Sequence, residues 1–198
     1  MADNKASSKY GYALGAIGTD INDAHFKFIK SKLKYKRTPQ HKAIRDELWK
    51  GFDMNGNGLL SLAEVDKGLR DVLCLGDNLF RAKKAIMSAF KAAKNAVKKK
   101  GQHDADYVNR CEFRLLLKYL WEYFAIYNAF MTLEEDGDLR LSKDEFTKNK
   151  DKIEKIVGHI SNPDAEWNKM KIGVNGHVLF SDFAEWSYSK LTVSDDEE

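Results

Sequence analysis

The chain of 198 residues contains little of what marks secreted, fibrous or membrane-spanning proteins. Its two cysteines, Cys74 and Cys111, are too few and too far apart for a disulfide framework or a cysteine zinc site. Two prolines and thirteen glycines exclude collagen-like and low-complexity sequence. The most apolar stretch, 115–131, is interrupted by Lys118 and Glu122 and is short for a bilayer span. We therefore expect a cytoplasmic protein with an ordinary buried core and no transmembrane span.

Acidic residues are scarce in the first part of the chain. Residues 1–110 carry 22 basic and 12 acidic residues, whereas residues 111–198 carry 11 and 18. Most of the positive charge lies in two stretches, 27–50 and 81–100. Such stretches form either a solvated helix surface or a surface that attracts an anionic membrane or an acidic partner. No nucleic-acid-binding motif accompanies them, so no nucleic-acid partner is expected.

Apolar residues recur at intervals of three and four along most of the chain, which predicts helices. One such stripe, expected to face the core, consists of Ile44, Leu48 and Phe52. The longest predicted helix covers about 110–131, and strand signals are confined to short segments inside loops. The pattern predicts an all-α fold with an extra N-terminal helix beginning near Ile21, after a flexible arm of residues 1–20.

The segment 53–64, here named loop 1, reads Asp-Met-Asn-Gly-Asn-Gly-Leu-Leu-Ser-Leu-Ala-Glu. It matches the twelve-residue EF-hand calcium loop at every specified position. The predicted ligands are the side-chain oxygens of Asp53, Asn55, Asn57 and Glu64, the backbone carbonyl of Leu59, and Ser61 through a water. Gly58 permits the sharp turn, and Leu60 is expected to pair with a partner loop in a short β-ladder. The sequence therefore predicts one Ca²⁺ here.

A second candidate, loop 3, covers residues 134–145. Its predicted ligands are the carboxylates of Glu134, Asp136, Asp138 and Glu145 and the backbone carbonyl of Arg140. Leu139 stands at position six, where EF-hand loops have glycine, and a left-handed non-glycine residue costs about 1–2 kcal/mol. Four converging carboxylates and a divalent ion can offset that cost, which favours a second Ca²⁺. The alternative is a solvated acidic turn.

Two further segments keep the EF-hand frame without its ligands. Loop 2, residues 101–112, retains Val108 and Glu112, and loop 4, residues 171–182, retains Val178 and Asp182. Lys171 occupies the first ligand position of loop 4, where an ammonium group competes with a cation. We expect both loops to serve as structural partners of the ligand-bearing ones.

Four helix-loop-helix units then pair into two lobes. The predicted N-terminal lobe covers 21–110 and the C-terminal lobe 111–190, which includes the shared long helix 111–133. An acidic tail, 191–198, follows.

Three features resemble the flagellar calcium-binding proteins of trypanosomatids, also called calflagins. They are the segment 111–120, the glycine at position four and the bulky apolar residue at position six of loop 3, and the segment 183–186. The likeness extends over about residues 40–188. It implies a calcium sensor that associates with a flagellar or ciliary membrane.

Members of that family carry an N-terminal glycine for myristoylation and a nearby cysteine for palmitoylation. This sequence begins Met1-Ala2-Asp3, and its first cysteine is Cys74. On these residues we expect no N-myristoylation, and the absence of an early apolar run predicts no signal peptide.

Catalysis has little support, because the five histidines have no metal-ligand spacing and no hydrolase or nucleotide-binding motif occurs. We expect no enzyme. Two classes of calcium-binding protein remain: a sensor that engages an unknown target protein or membrane, and a cytosolic buffer resembling the sarcoplasmic calcium-binding proteins. Ligand-poor loops and a basic N-terminal half are unusual for storage, which favours the sensor. Only five methionines argue against a promiscuous methionine-rich groove.

Overall fold

The computed structural model describes residues 28–29, 31–73, 82–96 and 106–191. Several predicted features lie outside these residues: the arm 1–20, most of the helix beginning near Ile21, Cys74, the two ends of the basic stretch 81–100, the first positions of loop 2, and the acidic tail beyond 191.

The regular elements of the described residues are helices and very short strands. In order they are α1 (Pro39–Phe52), β1 (Leu59–Leu60), α2 (Leu62–Leu73), α3 (Lys83–Asn95), β2 (Val108–Asn109), α4 (Phe113–Leu133), β3 (Arg140–Leu141), α5 (Lys143–Lys148), α6 (Lys150–Val157), α7 (Pro163–Trp167), β4 (Val178–Leu179) and α8 (Phe180–Leu191). Phe28, Ile29, Ser31 and Lys32 are also helical. Among these helices, none combines the length and apolar character needed to cross a bilayer.

The strands join the loops in pairs. β1 lies antiparallel to β2 with Leu60 opposite Val108, and β3 lies antiparallel to β4 with Leu141 opposite Val178. All four of these side chains are fully buried. The predicted fold, in which position-eight aliphatic residues pair across short β-ladders of an all-α EF-hand protein, is confirmed.

Two compact units divide the chain inside α4. Unit 1 comprises Met1–Phe124 and unit 2 comprises Ala125–Glu198, so α4 contributes residues to both. The core of unit 1 is formed around Phe52, Leu69, Ile86, Leu116 and Phe124. The core of unit 2 is formed around Phe130, Phe146, Ile153, Phe183 and Trp186.

Only the last turn of α1 is packed into the core. Thr38 caps the helix by accepting a hydrogen bond from the His41 backbone N–H at 3.3 Å, and Pro39 occupies the first turn, as expected for a helix start. Trp49 and Phe52 are buried, whereas Ile44 is 41% exposed. The predicted burial of the whole stripe is therefore wrong. Residues of α1 between positions 43 and 51 instead border an open groove of about 710 Å³, together with Val72 of α2 and Lys32.

Candidate metal centres

Loop 1 connects α1 to α2 and is held in shape by its own amide side chains. Asn55 Oδ1 accepts a hydrogen bond from the Asn57 backbone N–H at 2.9 Å, and Asn57 Oδ1 accepts one from the Leu59 backbone N–H at 2.8 Å. An amide oxygen has two lone pairs, so each oxygen keeps one for a further partner. Gly56 and Gly58 adopt left-handed φ angles of 69° and 79° between these turns.

Asp53 presents the clearest indication that loop 1 can hold a cation. Its Oδ2 accepts two hydrogen bonds, from the Gly58 backbone N–H and from Trp49 Nε1, both at 3.1 Å. Its Oδ1 is buried and has no hydrogen-bond partner. Burying a carboxylate oxygen without a partner is costly unless a cation compensates it. The donor set of loop 1, all hard oxygens, fits Ca²⁺ at this position.

Glu64 closes the other end of loop 1. Its Oε2 accepts hydrogen bonds from the backbone N–H and the hydroxyl of Ser61, at 2.9 and 2.8 Å, and its Oε1 accepts one from Asn55 Nδ2 at 2.7 Å. The glutamate therefore lies beside the third and ninth loop positions. This arrangement places the position-twelve carboxylate next to the other predicted ligands.

Three carboxylates converge in loop 3. Glu134, Asp136 and Asp138 each offer an oxygen, and these oxygens lie within 4.8 Å of one another. Glu134 is almost completely buried, and this burial raises its pKa. Asp136 is exposed, and the hydrogen bond from the Asp138 backbone N–H lowers its pKa. Like charges this close repel one another, so a divalent cation would stabilise the cluster.

Leu139 adopts the conformation that position six requires, with φ of 61°. The backbone N–H of Leu139 donates to Glu134 Oε1 at 3.2 Å, the counterpart of the bond from Gly58 to Asp53 in loop 1. Arg140 donates its backbone N–H to Asp138 Oδ1 at 2.7 Å. The turn is thus closed as in loop 1, although a leucine carries the strain.

Glu145 closes loop 3. Its Oε1 accepts the Glu135 backbone N–H at 2.9 Å, and its Oε2 accepts the backbone N–H and hydroxyl of Ser142 at 2.8 and 2.6 Å. Ser142 and Glu145 form a capping box at the start of α5. Burial opposes ionisation of Glu145, but these hydrogen bonds outweigh it and lower its pKa.

Loops 2 and 4 are closed by bonds of their own. In the described part of loop 2, Glu112 is completely buried and its Oε2 accepts the Asn109 backbone N–H at 3.0 Å. In loop 4, the Gly173 backbone N–H donates to the carbonyl of His177 at 2.8 Å, and Ile172 forms a β-bridge with Val178. Lys171 at the first position is exposed.

The sequence comparisons agree with this geometry. The model of the FCaBP EF-hand domain matches residues 29–120. The chain is 33% identical to flagellar calcium-binding protein TB-17 of Trypanosoma brucei brucei over 86% of its own length and 75% of that protein. It is 31% identical to protein TB-24 of the same organism, over 82% and 75%, and 29% identical to the flagellar calcium-binding protein of Trypanosoma cruzi, over 80% and 76%. The chain belongs to the flagellar calcium-binding protein family. The resemblance expected from the sequence is thereby confirmed.

In this member of the flagellar calcium-binding protein family, two contacts at the loops were not predicted from the sequence. Trp49 donates to Asp53, and Asn149 Nδ2 donates to the backbone carbonyl of Glu145 at 3.0 Å. Each residue lies four positions from its partner within or next to a helix, the spacing that places side chains on one face. That spacing was the available sequence signal for the two contacts. It was easily missed at Trp49, because a tryptophan at this position is also typical of an ordinary core residue.

Proposed function

We propose that this protein is a calcium sensor of a flagellum, which binds one Ca²⁺ at loop 1 and a second at loop 3 and engages a target in response. The observation that carries the proposal is the buried, unpartnered Asp53 Oδ1 at the first ligand position of loop 1. The names of the relatives, flagellar calcium-binding proteins, support the ion and the organelle. The role is non-enzymatic.

The ligands differ between the two loops. In loop 1 the ion would be held by the side chains of Asp53, Asn55, Asn57 and Glu64, the carbonyl of Leu59, and a water on Ser61. In loop 3 it would be held by Glu134, Asp136, Asp138 and Glu145 and the carbonyl of Arg140. With only two ionised ligands, loop 1 is expected to bind in the range of about micromolar or weaker.

A sensor needs a link between the ligands and a helix, and the position-twelve glutamates supply it. Glu64 lies in the first turn of α2 and Glu145 in the first turn of α5. A shift of Glu64 toward the other ligands moves α2, which carries Leu69 in the core and Val72 at the groove beside α1. Calcium binding would therefore change the exposure of apolar side chains along that groove.

One observation favours the buffer as a second candidate. The side chains of Asn55, Asn57 and Glu64 are already hydrogen-bonded within loop 1, and those of Asp138 and Glu145 within loop 3. Loops ordered to this degree can take up an ion with little movement of the helices.

Binding of a hydrophobic dye and two-dimensional NMR spectra, each with and without Ca²⁺, separate the two candidates. The sensor predicts increased dye fluorescence and widespread shifts in unit 1, including Val72 and Ile44. The double variant Glu64→Gln/Glu145→Gln is the control and should give neither response. Calcium binding with shifts confined to loop residues would favour the buffer. An absence of binding at millimolar Ca²⁺ would contradict both candidates.

We also propose an anionic membrane surface as a partner, through part of the basic stretch 27–50. Arg45 Nη1 donates to the carbonyl of Lys36 at 2.7 Å, and Arg114 Nη1 to the carbonyl of Tyr35 at 3.5 Å. A cationic cluster results, composed of Lys34, Lys36, Arg37, Arg45 and Arg114. Burial, followed by repulsion from Arg37, lowers the pKa of Arg114. Anionic lipid relieves such repulsion.

The second basic stretch, 81–100, has less support. Lys94 is paired with Asp106 at 2.8 Å, whereas Lys83 and Lys84 lie exposed at the start of α3. This difference provides a matched pair of double charge reversals. Lys36→Glu/Arg37→Glu should weaken binding to vesicles of phosphatidylserine and phosphatidylcholine, and Lys83→Glu/Lys84→Glu should weaken it less.

Cosedimentation at rising salt measures both variants, because screening weakens exposed electrostatic attraction. Equal losses in the two variants would assign the binding to net charge alone and contradict the cationic cluster. Vesicle binding of the wild type that ignores salt would contradict an electrostatic surface. The flagellar assignment is tested separately, by the distribution of a tagged chain expressed in a flagellated trypanosome.

A further inference from the structure

Trp49 lies outside loop 1 but contacts its first ligand directly. The indole Nε1–H donates to Asp53 Oδ2 at 3.1 Å, and the Gly58 backbone N–H donates to the same oxygen at 3.1 Å. With Oδ2 occupied from both sides, the carboxylate cannot rotate without losing two hydrogen bonds. Its other oxygen, Oδ1, is therefore the one left buried and without a hydrogen-bond partner.

The helix-loop-helix unit around loop 2, here named the second hand, holds the indole in place. Trp49 is 4% exposed, and its ring meets the edge of Phe113, the first residue of α4, at a centroid distance of 5.1 Å and an interplanar angle of 84°. Arg110, which follows β2, places its guanidinium carbon 5.9 Å from the Trp49 ring centroid. The same guanidinium donates to Asp46 Oδ1 of α1 at 3.0 Å. Residues at the end of loop 2 thus fix the side chain that contacts Asp53.

Loop 3 has no side-chain N–H that donates to its first ligand from the equivalent position. The residue four positions before its first ligand is Phe130, whose side chain has no N–H to donate. Phe130 packs against Phe180 and Phe183, with ring centroids 5.6 and 5.5 Å away. The first ligand of loop 3, Glu134, accepts the Leu139 backbone N–H. Of the two loops with predicted ligands, loop 1 has the indole donor and loop 3 does not, and loop 1 is the one with fewer ionised ligands.

We infer that Trp49 is a positioning residue for the calcium site of loop 1: clamped by Arg110 and Phe113 of the second hand, it orients Asp53 so that Oδ1 faces the ion. The inference rests on the proposed binding of Ca²⁺ at loop 1. The second hand, although poor in ligands, then contributes to calcium binding, because Arg110 and Phe113 support the Trp49 side chain that orients Asp53 of loop 1. Preorganised ligands bind more tightly, since less order has to be imposed on binding.

Calcium titration by calorimetry tests the inference in a Glu145→Gln background, where only loop 1 is expected to titrate. Trp49→Phe keeps the aromatic contacts and removes the indole N–H. The calcium dissociation constant should rise by about tenfold, the effect of losing one hydrogen bond to a charged group. The matched control is Trp186→Phe in the same background, because Trp186 donates to Glu166 at 2.9 Å in unit 2. It should leave the constant unchanged.

Two further measurements separate positioning from structural support. If Trp49 had a merely structural role, Trp49→Phe would lower the free energy of unfolding of the calcium-free protein and leave calcium affinity unchanged. Positioning predicts a weaker calcium affinity in Trp49→Phe whether or not that variant is also less stable, together with a calcium-dependent shift of the Trp49 indole N–H resonance in the wild-type protein, assigned by its loss in Trp49→Phe.

The outcomes are distinguishable. A Glu145→Gln parent that does not bind Ca²⁺ would overturn the proposed function at loop 1. A parent that binds, with Trp49→Phe binding equally well or an indole resonance that ignores Ca²⁺, would overturn the inference alone.

Discussion

Loops 1 and 3 align residue for residue, yet they solve the same geometric problem with different chemistry. Loop 1 reaches the sharp turn with Gly58 and offers two carboxylates, whereas loop 3 uses Leu139 in a left-handed conformation and offers four. A left-handed leucine is costly, and four converging carboxylates repel one another. The comparison teaches that an EF-hand loop can combine an unstrained backbone with few carboxylates, or a strained backbone with more of them.

The contrast continues into the exit helices. Four positions after the last ligand, unit 1 has Gly68 within the continuous α2, and unit 2 has Asn149 at the break between α5 and α6. Gly68 lies against the Phe52 ring, so close that a Cβ there would meet ring carbons at 2.7 Å. Asn149 instead donates to the Glu145 carbonyl and lies between the two helices, as the C-cap of α5 and the N-cap of α6. The exit helix of loop 1 is therefore packed directly on α1.

The largest expected effect comes from the last ligand of each loop. Glu64→Gln and Glu145→Gln should each remove one binding event from a calorimetric calcium titration, since the closing carboxylate is lost in each. Wild-type stoichiometry in both variants would show that the ligands are wrongly assigned. Loss of both events in either single variant would break the comparison, because the loops would not then bind separately.

A smaller effect is expected at the packed exit helix of unit 1. Gly68→Ala should lower the free energy of unfolding by about 1–3 kcal/mol, because its methyl group would overlap the Phe52 ring. Gly51→Ala in α1, where a Cβ meets nothing within 4 Å, should raise it by about 0.5–1 kcal/mol through helix propensity. Urea denaturation measures both. Equal effects in the two variants would mean that the close approach of α2 to α1 has no energetic consequence.

Exchanging the residue types at position six of loops 1 and 3 tests the difference in their backbone strain. Gly58→Leu should destabilise the folded protein by about 1–2 kcal/mol, because leucine would have to adopt the left-handed φ of 79°. Leu139→Gly should stabilise it by about 0.5–1 kcal/mol, since it relieves strain at a half-exposed side chain. Thermal unfolding at saturating Ca²⁺ provides the measurement. A destabilised Leu139→Gly variant would show that the leucine side chain stabilises loop 3 in another way.

The smallest expected effect is on stability at acid pH, and it arises from one residue of unit 2. Burial of Glu166 opposes its ionisation, but hydrogen bonds from Lys169, Lys190 and Trp186 outweigh it and lower its pKa to about 2. A pKa lowered by folding gives stability that is present above the ordinary value of 4.5 and is lost as pH falls toward about 2. Glu166→Gln should remove about 1 kcal/mol at neutral pH, after allowance for solvent screening, and flatten the acid dependence. Unfolding curves between pH 2 and 7 test this, and an unchanged acid dependence would refute it.

Much of the fold and the candidate site follows from local pattern. The predicted ligands of a loop lie in one short segment, so the spacing of Asp53, Asn55, Asn57 and Glu64 can be read without knowing what packs around them. The same holds for Leu60 and Val108, because the loop register fixes the position that faces its partner. The left-handed backbone of Leu139 was likewise predictable from its place in loop 3.

The residues that sequence reasoning misjudged or missed depend on distant neighbours. Ile44 belongs to an apolar stripe, but only the last turn of α1 meets the core, so its side chain is exposed. Arg114 lies far along the chain from the basic stretch 27–50, yet it donates to the Tyr35 carbonyl. Periodicity identifies a helix face, but it does not show how much of that face another element covers.

By itself the sequence determined the four loop frames, the two sets of predicted ligands and the pairing of aliphatic positions, because each depends on residues a few positions apart. Tertiary structure alone decided that Arg110 and Phe113 hold the ring of Trp49. The physical reason is that Arg110 and Phe113 lie about 60 residues further along the chain than Trp49, so they meet its ring only when the chain folds back on α1, and no local spacing encodes those contacts.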